Sequence, residues 1–180
     1  MNDFISIIKE RRSIRLYQKK EISEELLEQV LESIRWSPSW ANTQCWEVVI
    51  IKNQEIKKGL EETLPKTNPA RKAVVEAPVT IGLCAKLESS GYYKGKVSTK
   101  LGDWYMFDLG IAAQSICLTA HSLGLGTVIT GMFDHDMAKE LLNVGDEYQI
   151  VSLIPMGYPA KESTVPKRRE IREFVHYDTF

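Results

Sequence analysis

Leu123-Gly124-Leu125-Gly126-Thr127 is the stretch on which the fold turns. Two glycines one residue apart invite a dinucleotide-binding fingerprint. That fingerprint follows a strand and opens a helix, so that the helix N-terminus meets a pyrophosphate. Here the order is reversed. Leu101 to Leu123 reads as one long helix, apolar on most of its circumference and therefore central. Gly124 is its stop, and Thr127 to Thr130 reads as the strand beyond. The glycines are turn residues, and no GxxxxGKS or GxxxxGKT phosphate loop occurs elsewhere.

Outward from this point the chain alternates helices and strands. Phe4, Ile7 and Ile8 recur at helical spacing before Arg11, giving a short N-terminal helix. Ser23 is placed to cap a helix over 24–35, with Glu24 and Glu25 in its first turn and Ile22 set to staple against Leu27. Ser37-Pro38 ends it. Trp46 to Ile51 is a buried strand, residues 54–64 a helix and Pro78 to Ala85 a second strand. Residues 86–100, rich in Lys, Ser and Gly, read as an exposed connection. Asp134 caps a helix ending near Leu142. Tyr148 to Pro155 is a fourth strand, and Phe174 to Tyr177 a short terminal one after a polar, basic tail over 159–173. No repeat, low-complexity tract or linker interrupts this order, so residues 1–180 read as one layered α/β or α+β domain.

Composition bounds the function. A chain of 180 residues, 43% hydrophobic and 26% charged, buries enough apolar surface to fold without disulfides or metal. Its 23 basic and 24 acidic residues leave a net charge of −1, which speaks against a nucleic-acid binder relying on phosphate attraction. Cys45, Cys84 and Cys117 are odd in number, widely spaced and set in apolar stretches, as buried thiols of a reducing compartment would be; no zinc spacing is present. Met1-Asn2-Asp3-Phe4 does not open a secretory signal. Leu109 to Leu123 is too short to span a bilayer and contains Gln114 and His121. A cytoplasmic protein is expected, with neither nucleic acid nor membrane as a partner.

Three features carry chemistry. Arg11-Arg12-Ser13-Ile14-Arg15 places three guanidinium groups and a hydroxyl within five residues. Arginine meets phosphate oxygens with paired N–H donors, and on an extended segment residues 11, 13 and 15 share one side. Taken alone, the run is explained better by a solvated cluster at a helix C-terminus. A second run, Pro166-Lys167-Arg168-Arg169, gains meaning only if both close on one phosphate. The loop Ser37-Pro38-Ser39-Trp40-Ala41-Asn42-Thr43-Gln44-Cys45-Trp46 sets polar donors and flat aromatic surface between a helix and a buried strand, as ligand loops do. Trp46 itself is a core residue. No serine has a nucleophile-elbow context. His121 lies within an apolar helix, His135 follows a cap and His176 is terminal. Asp108 is the acidic residue of note on the long helix, and a structural carboxylate bonded to nearby backbone is its better reading.

In combination these elements resemble the FMN-dependent nitroreductase family. The match is ordered along nearly the whole chain: the run at 11–15, Ser-Pro-Ser-Trp-Ala-Asn-Thr-Gln at 37–44, Ala-Pro at 77–78, and Trp104, Asp108, Gly110, Ala112 and Gln114 on the long helix. Leu-Gly-Leu-Gly-Thr at 123–127, Gly131, then Pro155, Gly157, Tyr158, Pro159 and the run at 166–169 complete it. The resemblance implies an α+β, three-layer α/β/α sandwich with a mixed, mainly antiparallel sheet, assembled as an intertwined homodimer with FMN at the subunit interface. It implies that Arg11 and Ser13, with Lys167 and Arg169, hold the phosphate, that Arg12 assists, and that Arg15 reaches the pyrimidine edge. Pro38, Ser39, Trp40 and Asn42 would come from the second subunit, and Thr130 and Gly131 would lie beside the reactive ring face. The family mechanism is ping-pong: NAD(P)H reduces the flavin and leaves, and a nitroaromatic, quinone-like or related acceptor binds the same face. A guanidinium near N1 and the C2 carbonyl favours the reduced anion, and the chemistry needs no dedicated protein base. Three departures stand out. Cys45 replaces a common proline, Thr130 stands where an acidic residue is frequent, and 86–100 is short where larger relatives carry helices, with Tyr92 and Tyr93 either a partial lid or exposed loop residues. Alternatives are a dehalogenase or flavin-fragmenting enzyme of the same fold, or a non-catalytic module for an anionic ligand.

Overall fold

The computed structural model describes residues 3–161 and 163–180; Met1, Asn2 and Glu162 lie outside the described residues. Ser23 accepts the Leu26 amide and opens α2 (Glu24–Arg35), whose Leu27, Val30 and Ile34 are buried at helical spacing. Ile22 joins Leu27 in the same cluster, as a staple requires. Ahead of it α1 (Phe4–Glu10) ends at Arg11, and no residue of α1 is buried. β1 (Trp46–Ile51) and α3 (Gln54–Thr63) follow, the latter capped by Asn53 through the amides of Glu55 and Ile56. Then come α4 (Arg71–Glu76), β2 (Val79–Lys86), a small hairpin of β3 (Tyr92–Tyr93) and β4 (Lys96–Val97), α5 (Tyr105–Ser122), β5 (Gly126–Thr127), α6 (His135–Leu141) and β6 (Tyr148–Gly157).

The main sheet has the order β1-β2-β6-β5 with every ladder antiparallel. Among the described residues one parallel bridge, Ser13 to Thr127, makes it mixed. Strand alternation sorts the core into two layers. Val79, Ile81, Leu83 and Ala85 of β2 face α2 and α5. Cys84 faces the other way, toward α3, α4 and α6, with Ile51, Leu60, Val74 and Ala138. A bulge at Val151 sets Leu83 opposite Ser152 and Cys84 opposite Ile150. The extra residue lets Ile150 and Leu153, three apart, point into the same layer. The result is the expected α+β sandwich of helices, sheet and helices.

Several expectations are corrected. The long helix begins at Tyr105 rather than Leu101, because Gly102 turns the chain at φ 75° and Asp103 accepts the Tyr105 amide. The third strand is shorter than 127–130: only Gly126–Thr127 forms a ladder, and Thr130 returns as one bridge to Leu153. The 86–100 connection folds into the β3–β4 hairpin. Helix α4 lacks a side-chain cap at Ala70 and was not expected. Its C-terminal carbonyls are held from outside: Thr80 Oγ1 donates to Val74 O at 2.9 Å and Lys57 Nζ to Ala77 O at 2.7 Å. Phe174 to Tyr177 is not a strand. A 3-10 turn, Ile171–Glu173, precedes it, and no neighbouring strand pairs with it among the described residues.

Candidate functional site

The arginine run leaves α1 in extended form along the sheet edge. Ile14 donates its amide to Thr127 O at 2.8 Å and buries its side chain against Gly126. A Cβ on Gly126 would stand 2.5 Å from Ile14 Cγ1, so only glycine allows this approach. Tyr17 pins the far end, its hydroxyl donating to Ile14 O at 2.7 Å and Pro155 O at 3.0 Å. Burial pushes that phenol well above its ordinary value.

With Ile14 turned inward, Ser13 and Arg15 face out into a cavity of about 500 Å³. Arg11, Arg12, Arg15, Lys161 and Arg168 supply its charge, and no carboxylate lines it. None of these cations forms an ion pair among the described residues. The two basic runs therefore meet, as the sequence suggested, with a change of partner. Arg168 lines the cavity; Lys167 and Arg169 do not. Arg169 donates to Glu173 O and lies over the Phe174 ring. Arg12 also serves the backbone. Its guanidinium donates to Lys9 O at 2.6 Å and Arg11 O at 2.7 Å, closing the C-terminal end of α1.

Asp108 organises the other half. It is 0% exposed on α5. Its Oδ1 accepts the Trp40 amide at 3.0 Å, and its Oδ2 accepts Ser90 Oγ at 2.7 Å and the Cys45 thiol at 3.6 Å. Burial, with Asp108 beside it, pushes the Cys45 thiol up to about 12. Cysteine at the frequent proline position is thus a donor to the carboxylate that holds the loop. The loop is strained as well as anchored: Ala41, Asn42 and Gln44 have φ of 47°, 56° and 49°. Ser39 Oγ accepts the Gln44 amide at 2.9 Å. Pro38, Ser39 and Trp40 line a cavity of about 290 Å³ with Trp104, Phe107 and Ile111. It shares no lining residue with the cationic cavity, so within one chain the two halves of the expected site lie apart.

Thr130 and Gly131 follow the β5 edge. The Thr130 amide and carbonyl pair with Leu153 at 2.9 Å each, and its Oγ1 is buried without a hydrogen-bond partner. Gly131 is exposed. Two residues of this region had no signal in sequence: Ser90 sits in a lysine- and serine-rich connection, and Phe107 becomes a site residue only through its place beside Trp40 and Trp104.

A model of the nitroreductase family matches residues 8–158. A Methanothermobacter thermautotrophicus protein, named among the NADH dehydrogenase/NAD(P)H nitroreductases, is 35% identical over 88% of this chain and 78% of its own length. A Bacillus subtilis protein named FMN reductase [NAD(P)H] is 29% identical over 100% of this chain and 75% of its own. Among solved structures, an FMN-dependent nitroreductase from Clostridium difficile superposes with a TM-score of 0.82 at 26% identity, covering 98% of this chain and 99% of its own.

Proposed function

The chain belongs to the nitroreductase family, and we propose that it is an FMN-dependent oxidoreductase carrying hydride from NAD(P)H to nitroaromatic, quinone-like or related small acceptors. The observation that carries the reading is the cavity of five cations without a carboxylate, in a chain whose net charge is −1. A phosphate monoester brings close to two negative charges and three acceptor oxygens, the complement of that lining. The residues present therefore fit the group.

Arg11 and Ser13 would hold the phosphate. The cavity favours Arg168 over Lys167 and Arg169 as the partner from the second basic run. Arg12, already bound to two carbonyls, would act mainly by fixing the end of α1 and adding long-range charge. Arg15, on the same side as Ser13, would take the pyrimidine edge. The unpartnered hydroxyl of Thr130 beside exposed Gly131 supports their place at the ring. FMN, when bound, supplies the hydride acceptance and donation. The chain's own part is to bind, orient and exclude water, which agrees with Asp108 being consumed by structural hydrogen bonds.

The reading includes a homodimer in which Pro38, Ser39, Trp40 and Asn42 complete the partner's flavin site. Its support is exposed apolar surface. Helix α5 is apolar nearly all round, yet Met106 and Phe107 are 59% and 61% exposed, and α1 leaves Phe4, Ile5 and Ile8 in solvent. In the tail, Val165, Ile171, Phe174, Tyr177 and Phe180 are likewise uncovered. Residues 1–180 would form one domain of each subunit. Three free, buried thiols support a reducing, cytoplasmic setting. Among the described residues no helix is long and apolar enough to cross a membrane.

The test is the visible spectrum of the purified protein, then anaerobic addition of NADPH or NADH. Flavin absorbance that bleaches with a nicotinamide and returns with a nitroaromatic or quinone acceptor is expected. A colourless protein that gains no flavin absorbance on soaking with FMN would overturn the reading.

A further inference from the structure

We propose that the β3–β4 hairpin selects the electron donor, with Lys94, Lys96 and Lys100 receiving the 2′-phosphate that distinguishes NADPH from NADH. The inference rests on the flavin reading above and goes on to name the dinucleotide class.

The hairpin is a fixed arm. The Ser98 amide donates to Gly91 O at 2.8 Å, and the Trp104 amide to Ser90 O at 3.0 Å. The Trp104 indole donates to Thr99 Oγ1 at 2.7 Å. Gly91, at φ 82°, fits so tightly that a Cβ there would stand 2.6 Å from Gly102 O. At its base Ser90 donates to Asp108, the carboxylate that also fixes Trp40. Hairpin and loop are thus set by one group. Trp104 is shared between the hairpin's base and the 290 Å³ cavity that holds Trp40. If Trp40 borders the flavin, the arm stands at the mouth of that site. The adenosine end of a dinucleotide whose nicotinamide lies on the flavin reaches the mouth, not the floor.

The arm's tip carries positive charge, while Glu88 and Asp103 lie at its base. Lys94, Lys96 and Lys100 are exposed, and none forms an ion pair among the described residues. The turn itself does not ask for lysine. Tyr93 pairs with Lys96, leaving Lys94 and Gly95 as a two-residue loop with φ of 50° and 72°. Such a turn favours Asn, Asp or Gly at its first position. A lysine there adopts a left-handed backbone it disfavours, and the local contact its ammonium makes is with the Tyr93 ring, 5.4 Å from Nζ, which leaves the charge exposed. A compact, hydrated ammonium held at the tip of a rigid arm suits a terminal phosphate, and a dinucleotide lacking that phosphate gains less from it.

The experiment compares NADPH and NADH on the flavin-loaded protein and on the variant carrying Lys94→Gln, Lys96→Gln and Lys100→Gln. The wild type is expected to favour NADPH, and the ratio of kcat/KM for NADPH to that for NADH to fall at least tenfold in the variant, through KM for NADPH. Added salt should raise the wild-type KM for NADPH more than for NADH, and 2′-AMP should inhibit the wild type more strongly than the variant. Equal use of both dinucleotides by the wild type, or an unchanged ratio in a variant that still binds FMN, overturns the proposal and leaves the flavin reading standing. Flavin that stays oxidised with either dinucleotide, yet bleaches with dithionite, overturns both.

Discussion

Two charged regions of this chain are built in opposite ways. Around Asp108 a buried carboxylate receives three donors from two stretches of chain, and neither of its oxygens is left without one. Around Arg11 the cations line one cavity, no carboxylate answers them, and the hydrogen bonds they make go to neighbouring carbonyls. The first region is complete within the folded chain. The second is incomplete until an anion enters. A carboxylate satisfied by its own chain stabilises the fold, whereas cations gathered without partners repel one another and favour a ligand. The contrast separates scaffold from binding site without appeal to any relative.

The contrast breaks most readily at Asp108. Replacing it with alanine leaves the part-buried Trp40 amide and the buried Ser90 hydroxyl without their acceptor, at about 1–3 kcal/mol for each unsatisfied group. Urea unfolding should show a loss of about 2–5 kcal/mol, in the apo and FMN-loaded protein alike. A loss confined to the loaded protein would make Asp108 part of the binding site instead. Arg11→Ala should behave conversely. It removes charge-assisted bonds of about 1.5–3 kcal/mol each, so FMN affinity falls roughly 10- to 150-fold while apo stability holds or rises. Titration of the apo protein with FMN, followed by flavin fluorescence, measures it; unchanged affinity removes Arg11 from the site.

Gly126→Ala joins the two regions' logic at the sheet edge. Its Cβ displaces Ile14 and with it the extended run, so about 1–3 kcal/mol of stability is lost and FMN binding weakens. Gly131→Ala, whose Cβ meets nothing closer than Val151 O at 4.0 Å, should be nearly neutral for stability. Thermal unfolding of the pair provides the check. The buried thiols on both faces of the sheet should also reveal themselves in alkali. Burial raises the Cys45 and Cys84 thiols from 9.0 to about 12 and about 11. A thiol raised on folding contributes stability that is intact below the unfolded value and is lost as pH rises through the folded one. Unfolding free energy should therefore fall above pH 9, on the order of 1 kcal/mol for each thiol by pH 10. Native thiols should also resist iodoacetamide at neutral pH. Rapid alkylation before unfolding would refute their burial.

What could be read in the sequence was what is local. The bounds of α2 follow from Ser23 at one end and Ser37-Pro38 at the other, and those of β1 from a run of β-branched residues. Helix α4 escaped because its stabilising contacts come from Lys57 and Thr80, on elements before and after it. The β3–β4 hairpin escaped because Lys94 stands where the usual turn signal would be asparagine. Phe174 to Tyr177 has strand composition but no strand beside it, and pairing, not propensity, makes a strand. In the site, clustered arginines announce themselves. Of the hub, Trp40, Cys45 and Asp108 stand out singly in the sequence, but Ser90 does not, and that the four meet follows only from the packing of α5. The choice of Arg168 over Lys167 and Arg169 likewise depends on which way an irregular tail turns.

The smallest effect sharpens the comparison at its finest point. Ala41 holds a left-handed backbone with φ 47° and ψ 27°, a conformation disfavoured for any residue with a Cβ. Glycine at this position relieves the strain but adds unfolded-state freedom, so Ala41→Gly should raise stability by no more than about 1 kcal/mol. If the strain merely results from the tight turn between Ser39 and Gln44, FMN affinity will not change. If it holds Trp40 and Asn42 in the shape that a flavin in the partner subunit requires, relieving it will loosen the loop and weaken FMN binding several-fold despite the gain in stability. The strained loop sits against the saturated Asp108 hub, whose three hydrogen bonds are what keep it from relaxing. We expect the second outcome, a variant that unfolds later and holds its cofactor less well; a variant that gains stability at unchanged affinity would make the loop scaffold alone.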